Sequence, residues 1–418
     1  MDRLNGSMAE QQAGQRPAGK QTVPAPAGAP GGLARYVTAA TLARTADGGA
    51  VVAIVLLVTT TGGPGWLAGL LAACITGPHL LGPFVARSLD SCRDGRVLIA
   101  WACVVHGATL AAAVLLYQVA WPATGILLVA SGLVGPLLTG GISSRLPAIA
   151  GPDRTSQRRA QGWDVATYGI GGTIGPSIVA AVSAWAGASV AAPILAAATF
   201  VAAGVVRLLP YAPPVPGQSG MAGPVRTLRI IATTGRLRRM LCLTVTVAFS
   251  VAALPIAAVA STVMFHVPPA TAGILTAAYG LGGLAGSAMM MVRPLRGDAD
   301  RLVTRLAGLV GAALAVAALP VSFAPAVAAY TAAGVLNSCF FAATLAARSE
   351  FAPLQIRGQV FVWVGALKIA AGSAGTAAAG VAITGEPQVA LFLVSAFVLA
   401  VAGTSVLDRC STGSPEPG

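Results

Sequence analysis

The pattern of apolar and polar positions divides the chain into long apolar runs joined by short polar connections. The runs are near the roughly 20 residues that a helix needs to cross a bilayer, whereas a membrane barrel would show segments of about ten residues with alternating polarity. The pattern predicts an all-α integral membrane protein. Its twelve predicted transmembrane helices are 36–60, 65–86, 97–118, 123–144, 164–187, 189–209, 240–264, 270–292, 303–323, 325–347, 360–384 and 388–407.

Composition supports a membrane protein. Hydrophobic residues make up 56% of the 418 positions and charged residues only 9%, whereas soluble domains carry about a quarter charged residues. The six cysteines are scattered without metal-ligand spacing. Because no phosphate-binding loop and no hydrolase motif occurs, we expect no cofactor, no metal and no enzymatic activity, and any energy would come from an ion gradient.

The basic residues predict the orientation in the membrane. The net charge is +13, but the arginines form short clusters between apolar runs and not one basic face, so we expect no nucleic-acid partner. All Lys and Arg residues except Arg44 and Lys368 lie in the termini, in connections after even-numbered runs, or, as Arg207 and Arg305 do, within three residues of such a connection. Short basic loops stay in the cytoplasm. This predicts a multi-pass protein of the cell membrane with both termini cytoplasmic.

The longest internal connection predicts two halves. Residues 210–239 are rich in proline and glycine and separate two groups of six runs. We therefore expect an N-terminal six-helix bundle at 35–209, a cytoplasmic linker at 210–239 and a C-terminal six-helix bundle at 240–407. The polar residues 1–34 and 408–418 are predicted to be cytoplasmic tails, and the first of them to be disordered.

The two halves also echo each other. Arg-Ala-Gln at 159–161 precedes the fifth run, and Arg-Gly-Gln at 357–359 precedes the eleventh. Repeated halves around a central site are a transporter architecture. With twelve spans, a six-plus-six arrangement and a long central connection, the chain resembles the major facilitator superfamily over roughly residues 35–407. The resemblance implies transport of a small-molecule substrate, and we expect the protein to function as a monomer in the lipid bilayer.

Two signatures of that family have partial counterparts. Between the second and third spans, Asp90, Arg93, Gly95 and Arg96 fit the family pattern, although Ala86 stands where a glycine is expected and two extra residues precede Gly95. The resemblance implies that Asp90, Arg93 and Arg96 act in gating.

The second signature belongs to members that export drugs against protons. Gly171, Gly175 and Pro176 match it on the fifth span, while Val179 and Ala180 replace its closing glycine pair. The match favours export. A packing role is the alternative, because glycines four residues apart let two helices approach closely. In the family, spans two, five, eight and eleven form the contact between halves, so glycines there are expected to let the halves rock.

Charged residues inside the spans are candidates for ion coupling, since each costs about 2.5 to 3.5 kcal/mol on insertion scales. Arg44 and Asp47 are three residues apart on the first span, and Lys368 has no acidic partner in its own helix. The hypothesis is that Asp47, the only acidic residue predicted well inside a span, carries a proton while Arg44 and Lys368 modulate its pKa. The alternative is a fixed Arg44–Asp47 pair that holds the helix in register.

Other polar residues have weaker signals. Asp164 opens the fifth predicted span, where capping of a helix is the favoured role. Tyr330 and Asn337 share one face of the tenth span and are candidates for the substrate cavity, with hydrogen bonding between helices as the alternative. The histidines His79, His106 and His266 are isolated in the sequence, without metal-ligand company.

The leading functional hypothesis is a secondary exporter in which proton entry drives the exit of a small apolar or weakly basic molecule. An importer or uniporter of the same fold is one alternative. A membrane sensor or lipid-handling protein that transports nothing is another. The small number of charges in the spans argues against highly charged substrates such as sugar phosphates.

The loop charges generate a topology prediction. A reporter enzyme fused after Gly418, and another inserted between Leu209 and Met240, are both expected to be active only in the cytoplasm. The measurement is the activity ratio of paired cytoplasmic and periplasmic reporters. A periplasmic signal at either position would contradict the predicted number of spans.

Overall fold

The computed structural model describes residues 31–211, 223–268, 271–320, 322–382 and 387–412, which are almost entirely helical and contain no β-strand. The helices of the first half are α1 (Gly32–Thr60), α2 (Gly65–Thr76), α3 (Gly82–Ser91), α4 (Gly95–Leu116), α5 (Trp121–Pro136), α6 (Leu146–Ala150), α7 (Arg154–Ala186) and α8 (Ala188–Arg207). A 3₁₀ turn at Gly77–Leu81 joins α2 to α3, and a π-helical turn at Leu137–Gly141 follows α5.

A short helix, α9 (Pro224–Thr233), lies in the central connection. The helices of the second half follow it and are α10 (Gly235–Val251), α11 (Leu254–Met264), α12 (Ala272–Val292), α13 (Ala299–Ala318), α14 (Phe323–Phe351), α15 (Arg357–Ala382) and α16 (Pro387–Thr412). Pro255 lies in the first turn of α11, which is the helix position that proline tolerates best.

In the described ranges, 12 helical segments are long and apolar enough to cross a bilayer, which confirms the predicted fold class. Helices α2 and α3 together form the second segment, α5 and α6 the fourth, and α10 and α11 the seventh. A helix break inside a span is tolerated where neighbouring helices satisfy the freed backbone groups.

Several helices extend beyond the apolar runs that predicted them. Helix α7 starts at Arg154, ten residues before the predicted boundary at 164, because the Asp153 carboxylate accepts from the Ser156 backbone N–H at 2.7 Å and caps the helix. The predicted linker 210–239 contains α9 and the start of α10.

The predicted tails are shorter than expected. Helix α1 begins at Gly32, and α16 continues to Thr412. The remaining tail residues, 1–30 and 413–418, lie outside the described ranges.

Each half packs around its own buried apolar residues. In the first half one cluster surrounds Tyr36, Ile99 and Leu137, and a second surrounds Ile54 and Leu128. One large cluster in the second half contains Leu243, Val310 and Phe341, together with Val165 from α7. Because lipid is as apolar as leucine, this packing rests on van der Waals contact and close helix approach.

Glycines permit the closest approaches, but mostly within a half. An added Cβ at Gly171 would lie 2.7 Å from the Arg44 Cβ on α1, and one at Gly175 would lie 2.9 Å from the Gly49 backbone nitrogen of the same helix. Gly282 on α12 packs against Thr331 on α14 in the second half. The expectation that the glycines of these spans serve contact between halves therefore does not hold for these three positions. The reason is that these glycines lie where two helices of the same half approach most closely.

The halves meet at the end of the bundle that carries the connections α3–α4, α6–α7, α8–α9, α12–α13 and α14–α15, which we call the basic end. Arg158 on α7 donates from Nε and Nη2 to Glu350 Oε1 at 3.1 and 2.8 Å, and Arg154 Nη2 donates to Glu350 Oε2 at 3.1 Å. Nearby, an added Cβ at Gly140 would lie 2.9 Å from the Phe361 carbonyl oxygen of α15. These contacts join the two halves at this end.

The packing analysis generates a paired substitution test. Gly171→Ala is expected to lower the free energy of unfolding by about 1 to 3 kcal/mol, because the new methyl group has no room against α1. Its neighbour is the control, since an added Cβ at Gly172 meets nothing within 4 Å, so Gly172→Ala should leave stability nearly unchanged. Unfolding in detergent measures both. Equal losses would contradict the assigned packing.

Candidate functional site

A buried ion pair ties the middle of α1 to α7. Arg44 Nη1 lies 2.7 Å from Asp164 Oδ1, and both side chains are almost completely buried. The same guanidinium donates from Nη2 to Ser143 Oγ at 2.8 Å and to the Thr139 carbonyl at 3.2 Å, and from Nη1 to Thr167 Oγ1. The alternative hypothesis of a fixed Arg44–Asp47 pair is therefore wrong. The arginine side chain is long enough to contact neighbouring helices, and its planar guanidinium can donate to several acceptors there.

Asp164 is an interior residue of its helix and does not cap it. It lies ten residues after Arg154, and its carboxylate also accepts from the Tyr36 hydroxyl at 2.6 Å and from the Ser143 hydroxyl at 2.9 Å. Among the described residues, Asp47 is thus one of two acidic residues deep in the spans. The available sequence signal was the stretch 154–164, which lacks proline and lets a helix run through it.

Asp47 lies beside a histidine that the sequence left isolated. Asp47 Oδ1 is 3.7 Å from His79 Nε2, within ion-pair range but beyond a hydrogen bond, and that buried oxygen has no hydrogen-bond partner in the described structure. His79 Nδ1 lies 3.0 Å from the Ile75 carbonyl oxygen. Gly135 on α5 makes room for the pair, because an added Cβ there would lie 2.6 Å from His79 Nε2. The break Gly77-Pro78 just before His79 was the signal that this position is special.

Two further cations lie in the second half. Lys368 Nζ on α15 is 3.5 Å from the centroid of the Phe341 ring. Arg348 on α14 is fully buried, and its closest polar contact is Thr344 Oγ1 at 3.5 Å from Nη2. Neither cation has a carboxylate within 4 Å among the described residues. The apolar run of the tenth span ends before Arg348, so the sequence predicts a loop there, whereas α14 continues to Phe351.

The charged side chains from both halves surround one cavity of about 190 Å³. A second cavity of about 270 Å³ shares Phe341, Lys368 and Ile369 with the first, and is otherwise mostly apolar. The lining residues used below are Arg44, Asp47, Tyr168, Phe341, Arg348 and Lys368 for the first cavity, and Val247, Val251, Tyr279, Asn337 and Phe340 for the second.

Of the two polar residues predicted for the substrate cavity, only Asn337 lines a cavity described above; Tyr330 does not. Asn337 lines the larger cavity and donates from Nδ2 to the Tyr279 hydroxyl at 2.7 Å. Tyr330 instead donates to the Leu254 carbonyl at 3.1 Å and joins α14 to α11. His106 joins two helices in the same way, with Nδ1 2.9 Å from Ser131 Oγ.

The predicted gating residues contact their own half. Arg96 donates to both oxygens of Asp94, at 2.9 Å from Nε and 2.8 Å from Nη2, and its Nη1 donates to the Leu209 carbonyl at 2.8 Å. This hydrogen bonding from Arg96 lowers the pKa of Asp94 to about 2. The Arg93 carbonyl accepts from the Tyr211 hydroxyl at 3.2 Å. The side chain of Asp90 lies outside the described part of the structure.

Comparison with known proteins identifies the fold. No family model matches the sequence, and no curated protein sequence matches it at a significant level. Several solved structures are similar to this structure. The human organic anion transporter MFSD10 (TETRAN) is 16% identical and aligns over 89% of this chain and 99% of its own, with a TM-score of 0.69. The E. coli fucose:proton symporter FucP is 13% identical over 91% of this chain and 98% of its own, with a TM-score of 0.71.

A third similar structure is a bacterial homologue of the iron transporter ferroportin in its outward-facing state. It is 13% identical over 91% of this chain and 98% of its own, with a TM-score of 0.68. These likenesses show that the chain has the major facilitator superfamily fold, and they confirm the fold that the sequence resemblance predicted.

The assigned pairing generates a stability test. Asp164→Asn leaves the Arg44 guanidinium buried without its carboxylate, so we expect a loss of about 3 to 5 kcal/mol in the free energy of unfolding. Asp47→Asn removes a charge whose nearest partner is 3.7 Å away, so its loss should be much smaller. Unfolding in detergent measures both variants, and Arg44→Gln combined with Asp164→Asn should recover part of the loss. An equal loss from Asp47→Asn would contradict the assignment.

Proposed function

We propose that the protein is a secondary transporter that exports a small molecule from the cytoplasm by alternating access, with proton entry as the driving force. The fold supports transport in general. The location of the central cavity supports it further, because Arg44 and Asp47 reach the cavity from the first half while Arg348 and Lys368 reach it from the second. A site between two moving halves can be exposed to either side in turn.

The observation that carries proton coupling is the environment of Asp47. Its carboxylate lines the cavity, has one buried oxygen without a hydrogen-bond partner among the described residues, and lies 3.7 Å from the titratable ring of His79. Ionisable residues inside a membrane typically mark proton or ion pathways. Arg44 is occupied by Asp164, so in this proposal His79 takes the role that the sequence gave to Arg44 as a partner of Asp47. Lys368 keeps its role as a cavity cation.

Alternating access also requires the basic end to open. The contacts of Glu350 with Arg154 and Arg158 join the two halves there, and they must break when the cavity opens at this end. In the proposal these pairs take the gating role predicted for Asp90, Arg93 and Arg96, because they cross between halves. Such contacts bias the equilibrium between states and do not bind the cargo.

The direction of transport rests on the partial match of Gly171, Gly175 and Pro176 to the drug-export signature. The placement of the basic end in the cytoplasm rests on the loop charges. Together they give a protein of the cell membrane that loads its cargo at the basic end and releases it at the opposite end. We propose that a single chain performs the cycle.

Proton coupling predicts a conformational equilibrium that depends on pH without any substrate. Spin labels at the exposed positions Arg159 and Arg301, one on each half, report the opening of the basic end. In a background without the native cysteines, the distribution of distances between the labels should change as the pH is varied over roughly 5 to 8. Asp47→Asn should lose this dependence, because its amide cannot bind a proton in this range.

Asp94→Asn provides the matched control. Its carboxylate lies at the basic end and has a pKa of about 2, so it stays ionised over the whole range and its replacement should leave the pH response in place. A full pH response in Asp47→Asn would overturn the coupling role of Asp47.

A further inference from the structure

We infer that the central cavity binds an organic anion, a molecule with one carboxylate and an apolar body. This inference rests on the proposed function for the cavity's role in transport and adds the class of cargo. It replaces the expectation of an apolar or weakly basic substrate. It starts from Arg348 and Lys368, the two cations of the cavity without a carboxylate within 4 Å among the described residues.

The charges around the cavity do not balance. The positive charge of Arg44 is neutralised by Asp164 at 2.7 Å. The remaining lining charges are the carboxylate of Asp47 and the cations Arg348 and Lys368, which leaves one positive charge in excess. A cargo with a single negative charge restores neutrality, whereas a weakly basic cargo increases the excess.

The Arg348 guanidinium makes few hydrogen bonds within the described structure. Its Nε is buried without a hydrogen-bond partner in the described structure, and Nη2 reaches only the Thr344 hydroxyl at 3.5 Å. A guanidinium stays protonated in proteins and presents parallel N–H donors that match the two oxygens of a carboxylate. Buried polar groups are normally satisfied, so these donors fit a ligand that supplies the missing acceptors.

Lys368 lies where the two cavities join. Its ammonium group is held over the Phe341 ring at 3.5 Å, and both residues line both cavities. The larger cavity continues away from the cations along Val247, Val251 and Phe340. A carboxylate bound between Arg348 and Lys368 would therefore place an apolar or aromatic body in the larger cavity, with Asn337 and Tyr279 beside it.

The first experiment asks which charge the cavity selects. Melting of the purified full-length chain in detergent is measured with naphthoate, naphthamide and naphthylmethylamine, which share one ring system, and with linear carboxylates from butyrate to decanoate. We expect carboxylates to raise the melting temperature in a saturable way, and the amide and amine to have little effect. A series in which no carboxylate stabilises the protein, or in which the amide or amine stabilises it as well as naphthoate, would overturn the inference.

The second experiment locates the site. Arg348→Met and Lys368→Met should each weaken binding of the best carboxylate by tenfold or more, because each removes a charged donor. Arg348→Met should also melt at or above the wild-type temperature without ligand, since it removes an unpaired buried charge. The exposed Arg229→Met is the control and should bind as the wild type does. Unchanged affinity in both cavity variants would overturn the assignment.

Further variants test the site if Arg348→Met is unstable. If Arg348→Met does not fold, Lys368→Met and the charge-preserving Arg348→Lys still test the site, and the lysine variant should retain more affinity than a neutral one. Binding in detergent requires no ion gradient. Absence of carboxylate binding therefore refutes the cargo class alone, whereas a wild-type chain that shows no pH response in the spin-label measurement refutes proton coupling alone.

Discussion

The Arg44–Asp164 ion pair is the contact on which the centre of this protein depends. A charge in the hydrocarbon region must be neutralised by the protein itself, because no water is there to solvate it. The pair joins α1 to α7 and places the Arg44 guanidinium 3.6 Å above the ring of Tyr168. Tyr168 in turn packs edge-on against Phe341 of the other half, with centroids 5.0 Å apart, and Phe341 holds the Lys368 ammonium. One salt bridge thus positions a wall of the cavity across both halves.

The spans followed from the sequence because the thickness of a bilayer sets the length of an apolar run. The partners of the charged residues did not follow. Spacing along one helix suggested that Arg44 pairs with Asp47, yet the pairing partner is 120 residues away. Arg348 and Asp164 were misplaced because apolar runs end before helices do. His79 was missed because its neighbour Asp47 comes from another helix.

An anionic cargo changes the energetics of export. Moving one elementary charge across the membrane is worth about 2.3 kcal/mol for each 100 mV, so a negative interior favours the exit of an anion as well as the entry of a proton. Inside the cavity, electrostatics opposes this exchange of anion for proton, because a bound carboxylate raises the proton affinity of a nearby acid. Strong coupling of that kind would move proton and anion in the same direction. The direction of coupled movement is therefore the point at which the proposed exporter and an importer of the same fold differ.

Transport in proteoliposomes distinguishes them directly. The full chain is reconstituted with naphthoate equal on both sides, the membrane potential is clamped to zero with potassium and valinomycin, and a pH difference is imposed. The account predicts that naphthoate accumulates on the acidic side, opposite to the passive distribution of a weak acid in protein-free vesicles. Asp47→Asn should abolish this uphill movement while downhill exchange of naphthoate persists. Accumulation on the alkaline side beyond that of protein-free vesicles, or uphill movement that survives Asp47→Asn, would contradict the account.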